Sequence, residues 1–247
     1  MKIQLMSDLH QEFGWEIQFT PHLDTVLVLA GDIDNRYWHL QDIIERACLN
    51  YQDVIMVAGN HEFYGTIYEA RIQNFNDWDD YYPNFHFLEN RKKIIDDVIF
   101  LGGTLWATPT HEVFSRINDA YQIKRATGRR FYHEDLAELN GLTTDFLKRE
   151  LETHQDDKTV VVTHFGPDQR LMNARWRQYP DLNTYFWARG LDYHFKYADH
   201  WMFGHTHDPG GGKIDGCEFY CNPHGYRWPD GKEHWGFNEE YIIDVAV

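Results

Sequence analysis

Val54-Ile55-Met56-Val57-Ala58-Gly59-Asn60-His61-Glu62 opens with five apolar residues and ends in a glycine followed by three polar side chains. The apolar part is continuous rather than alternating, which is the pattern of a strand covered on both faces. The polar part sits where such a strand would end. In open α/β sheets ligands bind at the carboxyl ends of strands, so this junction predicts both a fold class and a place for function.

The same arrangement recurs. Ile3–Met6 leads through Ser7 to Asp8-Leu9-His10, and Val26–Ala30 leads to Gly31-Asp32. Val160–Val162 leads to Thr163-His164, and Trp201–Phe203 leads to Gly204-His205-Thr206-His207. A further apolar run, Val98–Leu101, carries no such ending. A lone histidine after a strand reads as a loop residue, but that reading does not explain five such ends together. Asp, His and Asn offer oxygen and imidazole donors, which suit Mn, Fe, Zn or Ni. Asp-x-His and His-x-His are expected to place two donors on one side of an extended chain. Gly31, Gly59 and Gly204 permit sharp turns or close backbone approach beside the donors.

Between the runs, Trp38–Tyr51, Thr66–Trp78 and Glu134–Leu151 have apolar residues at helical spacing, so strand and helix alternate as in α/β layers. The last third is richer in strand, with Lys213–Cys221 and Tyr241–Val247 reading as strands. Asp208-Pro209-Gly210-Gly211-Gly212 before them reads as a loop. No linker divides the 247 residues, so a single domain spanning 1–247 is expected, with the irregular segment 108–130 as a candidate cap.

Composition excludes several classes. A hydrophobic content of 43% and an aromatic content of 16% are those of a globular chain. A net charge of −16 argues against a grip on long nucleic acid, which needs a basic face. No run approaches a membrane span. The chain passes from Met1-Lys2 straight into a strand, so no removable leader is expected. The three cysteines, Cys48, Cys217 and Cys221, form no CxxC pair, and a reducing, cytoplasmic setting is expected.

The five blocks, in this order across Asp8–His207, resemble the calcineurin-like metallophosphoesterases, and the small prokaryotic or phage-type members above all. That family's pattern runs Asp-x-His, Gly-Asp, Gly-Asn-His-Glu/Asp, a strand-ending His and Gly-His-x-His. The likeness extends through Leu101–Trp106, Asn118–Arg125 and Cys221–Tyr226. It implies a four-layer α/β/β/α sandwich with two central mixed sheets, the metallo-dependent phosphatase fold. It also implies that Asp8, His10 and His207 hold one metal, that Asn60, His164 and His205 hold a second, and that Asp32 bridges them. Manganese is the expected pair.

The activity so implied is hydrolysis of a phosphodiester or pyrophosphate bond in a small nucleotide-like substrate. In such sites two ions roughly 3.5–4 Å apart clamp the phosphoryl group, and a metal-bridged hydroxide attacks it. His61 would face the substrate as general acid, a role typically worth ~10²–10⁴-fold. Two alternatives stay open: a phosphomonoesterase, including a protein Ser/Thr phosphatase, and a metal-binding interaction domain without turnover. One departure concerns His61. The family often writes Gly-Asp-x-x-Asp, the last carboxylate supporting the catalytic histidine, and here Asn35 stands in that place. Asp34 or Glu62 is the expected substitute.

Other residues carry weaker signals. His224 and Arg125 are candidate substrate contacts, His224 because small family members tend to have Arg there. Lys124, Arg129 and Arg130, and likewise Arg170, Arg175 and Arg177, read first as solvated loop cations. Tyr64, Trp106, Phe165 and Tyr226 could stack on a base, with core packing as the plainer role. His22, His39, His86, His111, His133, His154, His194, His200 and His234 lack motif context and read as structural.

Overall fold

A computed structural model describes residues 1–226 and 236–246. The strands in chain order are β1 (Lys2–Met6), β2 (His22–Ala30), β3 (Tyr51–Val57), β4 (Phe85–Phe87), β5 (Arg91–Ile95), β6 (Val98–Gly103), β7 (Thr159–Thr163), β8 (His200–Phe203), β9 (Gly210–Ile214), β10 (Cys217–Cys221) and β11 (Ile242–Asp244). They form two sheets, with orders β11-β1-β2-β3-β4 and β5-β6-β7-β8-β10-β9. The inner pairs are parallel, and β11, β5 and β9 add antiparallel edges. Both sheets are therefore mixed.

Residues two apart along each strand share a face, and the two faces bury different partners. Ile3, Leu5, Val26, Val28, Ile55 and Val57 from one sheet meet Val98, Phe100, Val160, Val162 and Met202 from the other. The intervening residues Leu27, Leu29, Val54 and Met56 pack on Leu40, Ile43, Ile44, Phe75 and Trp78 of helices Tyr37–Asn50 and Tyr68–Tyr81. On the far side, Leu101, Val161, Trp201 and Phe219 pack on Phe146, Leu147 and Leu151 of helix His133–Thr153. Each such side chain contributes about 1.5–3 kcal/mol when fully buried. The result is the four-layer α/β/β/α sandwich, and it explains why these strands read as unbroken apolar runs.

The last third departs from the sequence reading. Lys213–Cys221 is not one strand but the end of β9, a tight turn and all of β10, and Gly210–Gly212 lies in β9 rather than in a loop. Ile214 pairs with Cys217, leaving the two-residue loop Asp215-Gly216, both with positive φ (51° and 96°). That is the geometry a tight hairpin requires. A side chain at Gly211 would collide with the Phe219 carbonyl oxygen, so β9 pairs this closely only because it is glycine-rich. β4 and β5 are two further strands, with no long apolar run to mark them in the sequence. β5 joins β6 through Asp96-Asp97, again with both φ values positive (46° and 66°). The expected strand at Tyr241–Val247 is the three-residue β11, and Val247 lies outside the described residues. The segment 108–130 holds two short helices, His111–Phe114 and Asp119–Gln122.

Candidate metal centre

The carboxyl ends of five parallel strands from both sheets meet at one edge. Asp8 and His10 follow β1, Asp32 follows β2, Asn60 follows β3, His164 follows β7, and His205 and His207 follow β8. All are buried except His207, which is partly exposed. The backbone there is not extended, contrary to the period-two reading of Asp-x-His and His-x-His. Asp8, His10, Asp32, His205 and His207 all have φ between 45° and 66°. Left-handed backbone costs an L-residue about 1–2 kcal/mol, a cost lowest for short polar side chains. Paired donors thus reach one centre through left-handed kinks. Hydrogen bonds fix the kinks: Asp8 N–H donates to Gly31 O and His10 N–H to Asp32 O, both at 2.9 Å. Close approach fixes them further, since a side chain at Gly59 would meet the Asp32 carboxylate.

Glu62 organises the floor. Its carboxylate accepts from the backbone N–H groups of Gly59 (2.6 Å), Asp32 (2.9 Å), Ile33 (2.6 Å) and Asp34 (3.3 Å). Burial and the adjacent Asp32 charge push its carboxyl up to about 7, against the pull of His164 and these donors.

The donor atoms of Asp8, His10, Asp32 and His207 lie within 4.8 Å of one another, and so do those of Asp32, His164 and His205. Asp32 belongs to both groups. Asn60 Oδ1 lies 3.3 Å from His164 Nε2, which adds it to the second. The chemistry of the set fits cations. His10 Nε2 faces His207 Nε2 at 3.0 Å, and the buried His205 Nε2 has no hydrogen-bond partner among the described residues. His164 Nδ1 lies 2.8 Å from the Ala30 carbonyl and His10 Nδ1 lies 3.1 Å from Glu12 Oε1. Each ring then donates outward and turns Nε2 toward the centre, as metal-binding histidines do.

Electrostatics agree. Burial opposes charge on Asp32, yet the surrounding His164, His61 and His10 hold its carboxyl well below the usual range. Burial lowers His164, but Asp32 and Asp8 bring it up to about 9. Burial, with His164 beside it, drives His205 well below the ordinary histidine value.

His61 stands beside both groups. Its backbone N–H donates to Asp32 Oδ1 at 2.8 Å, and its Nε2 meets the Tyr226 hydroxyl at 3.1 Å. Support for its Nδ1 comes from none of the residues the sequence suggested. Glu12 Oε1 lies 2.8 Å from it. Asp34 instead pairs with Arg36 and His39, Glu62 clamps backbone, and the Asn35 carbonyl accepts from Arg71. Burial lowers His61, while Asp32 and Glu12 raise it further, to about 8. The only sequence signal for Glu12 was an acid two residues after His10.

A cavity of about 830 Å³ opens over this floor, lined by Asn60, His61, Tyr64, Tyr185, His205 and Tyr226 among others. His224 also lines it, with its ring stacked on Trp15 at 3.8 Å. Arg125 is not brought there; it pairs with Glu69 and Asp135. Arg129 pairs with Asp135, and Arg170 with Asp168 away from the centre. Arg175 does reach the cavity and pairs with Asp208. Trp106 and Phe165 are core residues, whereas Tyr64 and Tyr226 face the cavity. His61 forms a third such group with His10 and Glu12, no further histidine among the described residues joins any of the three, and His234 and the side chain of Arg177 lie outside the described residues.

The family model for calcineurin-like phosphoesterases matches residues 1–209. The chain belongs to that family. This calcineurin-like phosphoesterase is a hydrolase of phosphoric esters, and its family depends on a binuclear metal centre. An uncharacterized protein of Acanthamoeba polyphaga mimivirus is 24% identical over 277 aligned positions, covering 98% of this chain and 96% of that one. The crystal structure of a phosphopantetheinyl hydrolase from Mycobacterium tuberculosis aligns with a TM-score of 0.74 and 20% identity, covering 91% of this chain and 89% of that one. A putative 5'-nucleotidase from Staphylococcus aureus gives 0.53 and 15%, covering 89% of this chain and 48% of the other. At these identities the structural likeness is one of fold. No helix among the described residues is long and apolar enough to cross a membrane.

Proposed function

We propose that this phosphoesterase hydrolyses a phosphodiester or pyrophosphate bond in a small nucleotide-like substrate. One observation carries the choice over a monoester. Both arginines lining the cavity among the described residues are already paired, Arg116 with Glu112 and Arg175 with Asp208, each at 2.8 Å. A monoester, with two charges on one phosphoryl group, therefore gains no unpaired guanidinium there, whereas a diester or a substituted pyrophosphate carries only one charge on each phosphoryl group and needs none. Tyr64, Trp176, Tyr185 and Phe186 give the cavity an aromatic wall suited to a base or similar ring.

Asp8, His10 and His207 would hold one ion, Asn60, His164 and His205 the other, and Asp32 both. Manganese is the proposed pair, because oxygen and imidazole donors accept it. Divalent cations in such a site supply Lewis acidity toward phosphoryl oxygens and lower the pKa of water. The protein's own part centres on His61. Glu12 accepts its Nδ1–H and fixes the ring, so Nε2 faces the cavity with the proton the leaving oxygen takes up. The −16 net charge favours a small phosphorylated partner over long nucleic acid. Three free cysteines support a cytoplasmic setting.

The test is turnover of bis-p-nitrophenyl phosphate against p-nitrophenyl phosphate with Mn²⁺, Fe²⁺, Zn²⁺ or Ni²⁺ added. Preference for the diester is expected. Faster turnover of the monoester would overturn the assignment.

A further inference from the structure

The segment 108–130 lines the cavity with Arg116, Ile117 and Asn118 and reaches the donor set through the carboxylate of Asp119. Asp119 is completely buried, and its Oδ1 accepts from the Tyr64 hydroxyl at 2.7 Å, Asn60 Nδ2 at 3.0 Å and the Tyr185 hydroxyl at 3.1 Å. These donors come from separate parts of the chain: Tyr64 and Asn60 follow β3, while Tyr185 lies between β7 and β8. Asp119 lies outside the five donor blocks, in the stretch Asn118–Arg125.

A carboxylate offers acceptors only, so the edge of the Asn60 amide that faces Asp119 must be its NH₂. The opposite edge, Oδ1, is then turned toward His164 Nε2 at 3.3 Å. We infer that Asp119 is a positioning residue that fixes the direction of the Asn60 amide and restricts position 60 to an amide. An aspartate at 60 would set two carboxylates about a hydrogen-bond length apart in a buried site, where like charges cannot both be held. Without Asp119 the amide could turn, presenting NH₂ to a cation that NH₂ cannot bind. The candidate cap is thus part of the metal-binding apparatus. The inference rests on reading Asn60, His164, His205 and Asp32 as one metal group.

The experiment is calorimetric titration of Mn²⁺ into the full chain after chelator treatment. Two binding events are expected for the wild type. Asp119→Ala should weaken one event by about 10–100-fold, the usual effect of losing a partner behind a ligand, and leave the other unchanged. Asn60→Asp should weaken the same event. The double variant Asn60→Asp/Asp119→Asn should recover it by at least about 10-fold over Asn60→Asp, because the amide at 119 can donate to the carboxylate at 60. Two wild-type events that persist unaltered in Asp119→Ala would overturn the role of Asp119 and leave the metal reading standing. Absence of Mn²⁺ binding by the wild type would overturn the metal reading itself. If Asp119→Ala does not fold, a double variant that binds no tighter than Asn60→Asp overturns the inference instead.

Discussion

Removing Glu12 should separate substrates by their leaving group. Its Oε1 lies 2.8 Å from His61 Nδ1 and 3.1 Å from His10 Nδ1, and the side chain is 7% exposed. A hydrogen bond involving a charged partner is worth about 1.5–3 kcal/mol, which is roughly 10–150-fold in rate if it is lost only in the transition state. General acid catalysis supplies ~10²–10⁴-fold altogether, so a misaligned His61 should forfeit a large part of it. A nitrophenolate departs without a proton, whereas an alkoxide must take one. Glu12→Ala should therefore slow an alkyl phosphodiester by about 100-fold and barely affect bis-p-nitrophenyl phosphate. Glu12→Gln keeps an acceptor oxygen and should fall between wild type and alanine. Metal content, measured by plasma mass spectrometry, must accompany the kinetics, because Glu12 also holds His10. Equal losses on both substrates at full metal content would refute the action of Glu12 through the His61 proton. Equal losses together with depleted metal would place its role at His10.

Metal removal should destabilise the fold, since ions bound only by the native state contribute about 2.7 kcal/mol at 100 times Kd. A chelator should lower the melting temperature by roughly 5–10 °C for a chain of this size, and Mn²⁺ should restore it; an unchanged melting curve would refute this. Glu62→Gln should cost roughly 2–5 kcal/mol in urea denaturation, because its new NH₂ faces two of the four backbone donors that Glu62 accepts and leaves them unmet. A loss below about 0.5 kcal/mol would deny the clamp. Glu89 gives a pH signature. Burial pushes its carboxyl up to about 7 from an ordinary 4.5, against hydrogen bonds from the Thr104 hydroxyl and N–H. The unfolded chain then ionises first, so wild-type stability falls as pH rises from about 4.5 to about 7 and levels off above. Glu89→Gln lacks this loss and should gain on wild type by roughly 1–3 kcal/mol between pH 5 and pH 8; a constant difference would refute it.

The legible and illegible parts of this site differ in how their information is stored. Asp8, Asp32, Asn60, His164 and His205 could be found because each follows a strand whose apolar run is itself a local signal, and because parallel strands bring those ends to one edge. The residues that orient the donors have no such address. Glu12 lies on a short 3-10 turn, Gln11–Phe13, and meets His61 across 49 positions. Asp119 meets Asn60 across 59 positions from an irregular segment. Neither contact follows from any periodicity; each is set by the packing of separate loops. Charge counting misleads for the same reason. Arg125 looked like a free cation in an acidic chain, yet tertiary contact with Glu69 and Asp135 occupies it. The hairpin at Asp215-Gly216 is the opposite case. Its Asp-Gly turn is a strong local signal, masked in the sequence by glycines at 210–212 that read as a loop and by flanking residues that make the turn read as strand interior. Asp96-Asp97 carries a weaker one, since an aspartate pair enters left-handed backbone less readily than Asp-Gly does. Donor type and strand ends therefore lead to the candidate donor cluster, while the proposed preference for an amide rather than a carboxylate at position 60 depends on the buried Asp119 that the fold places behind it.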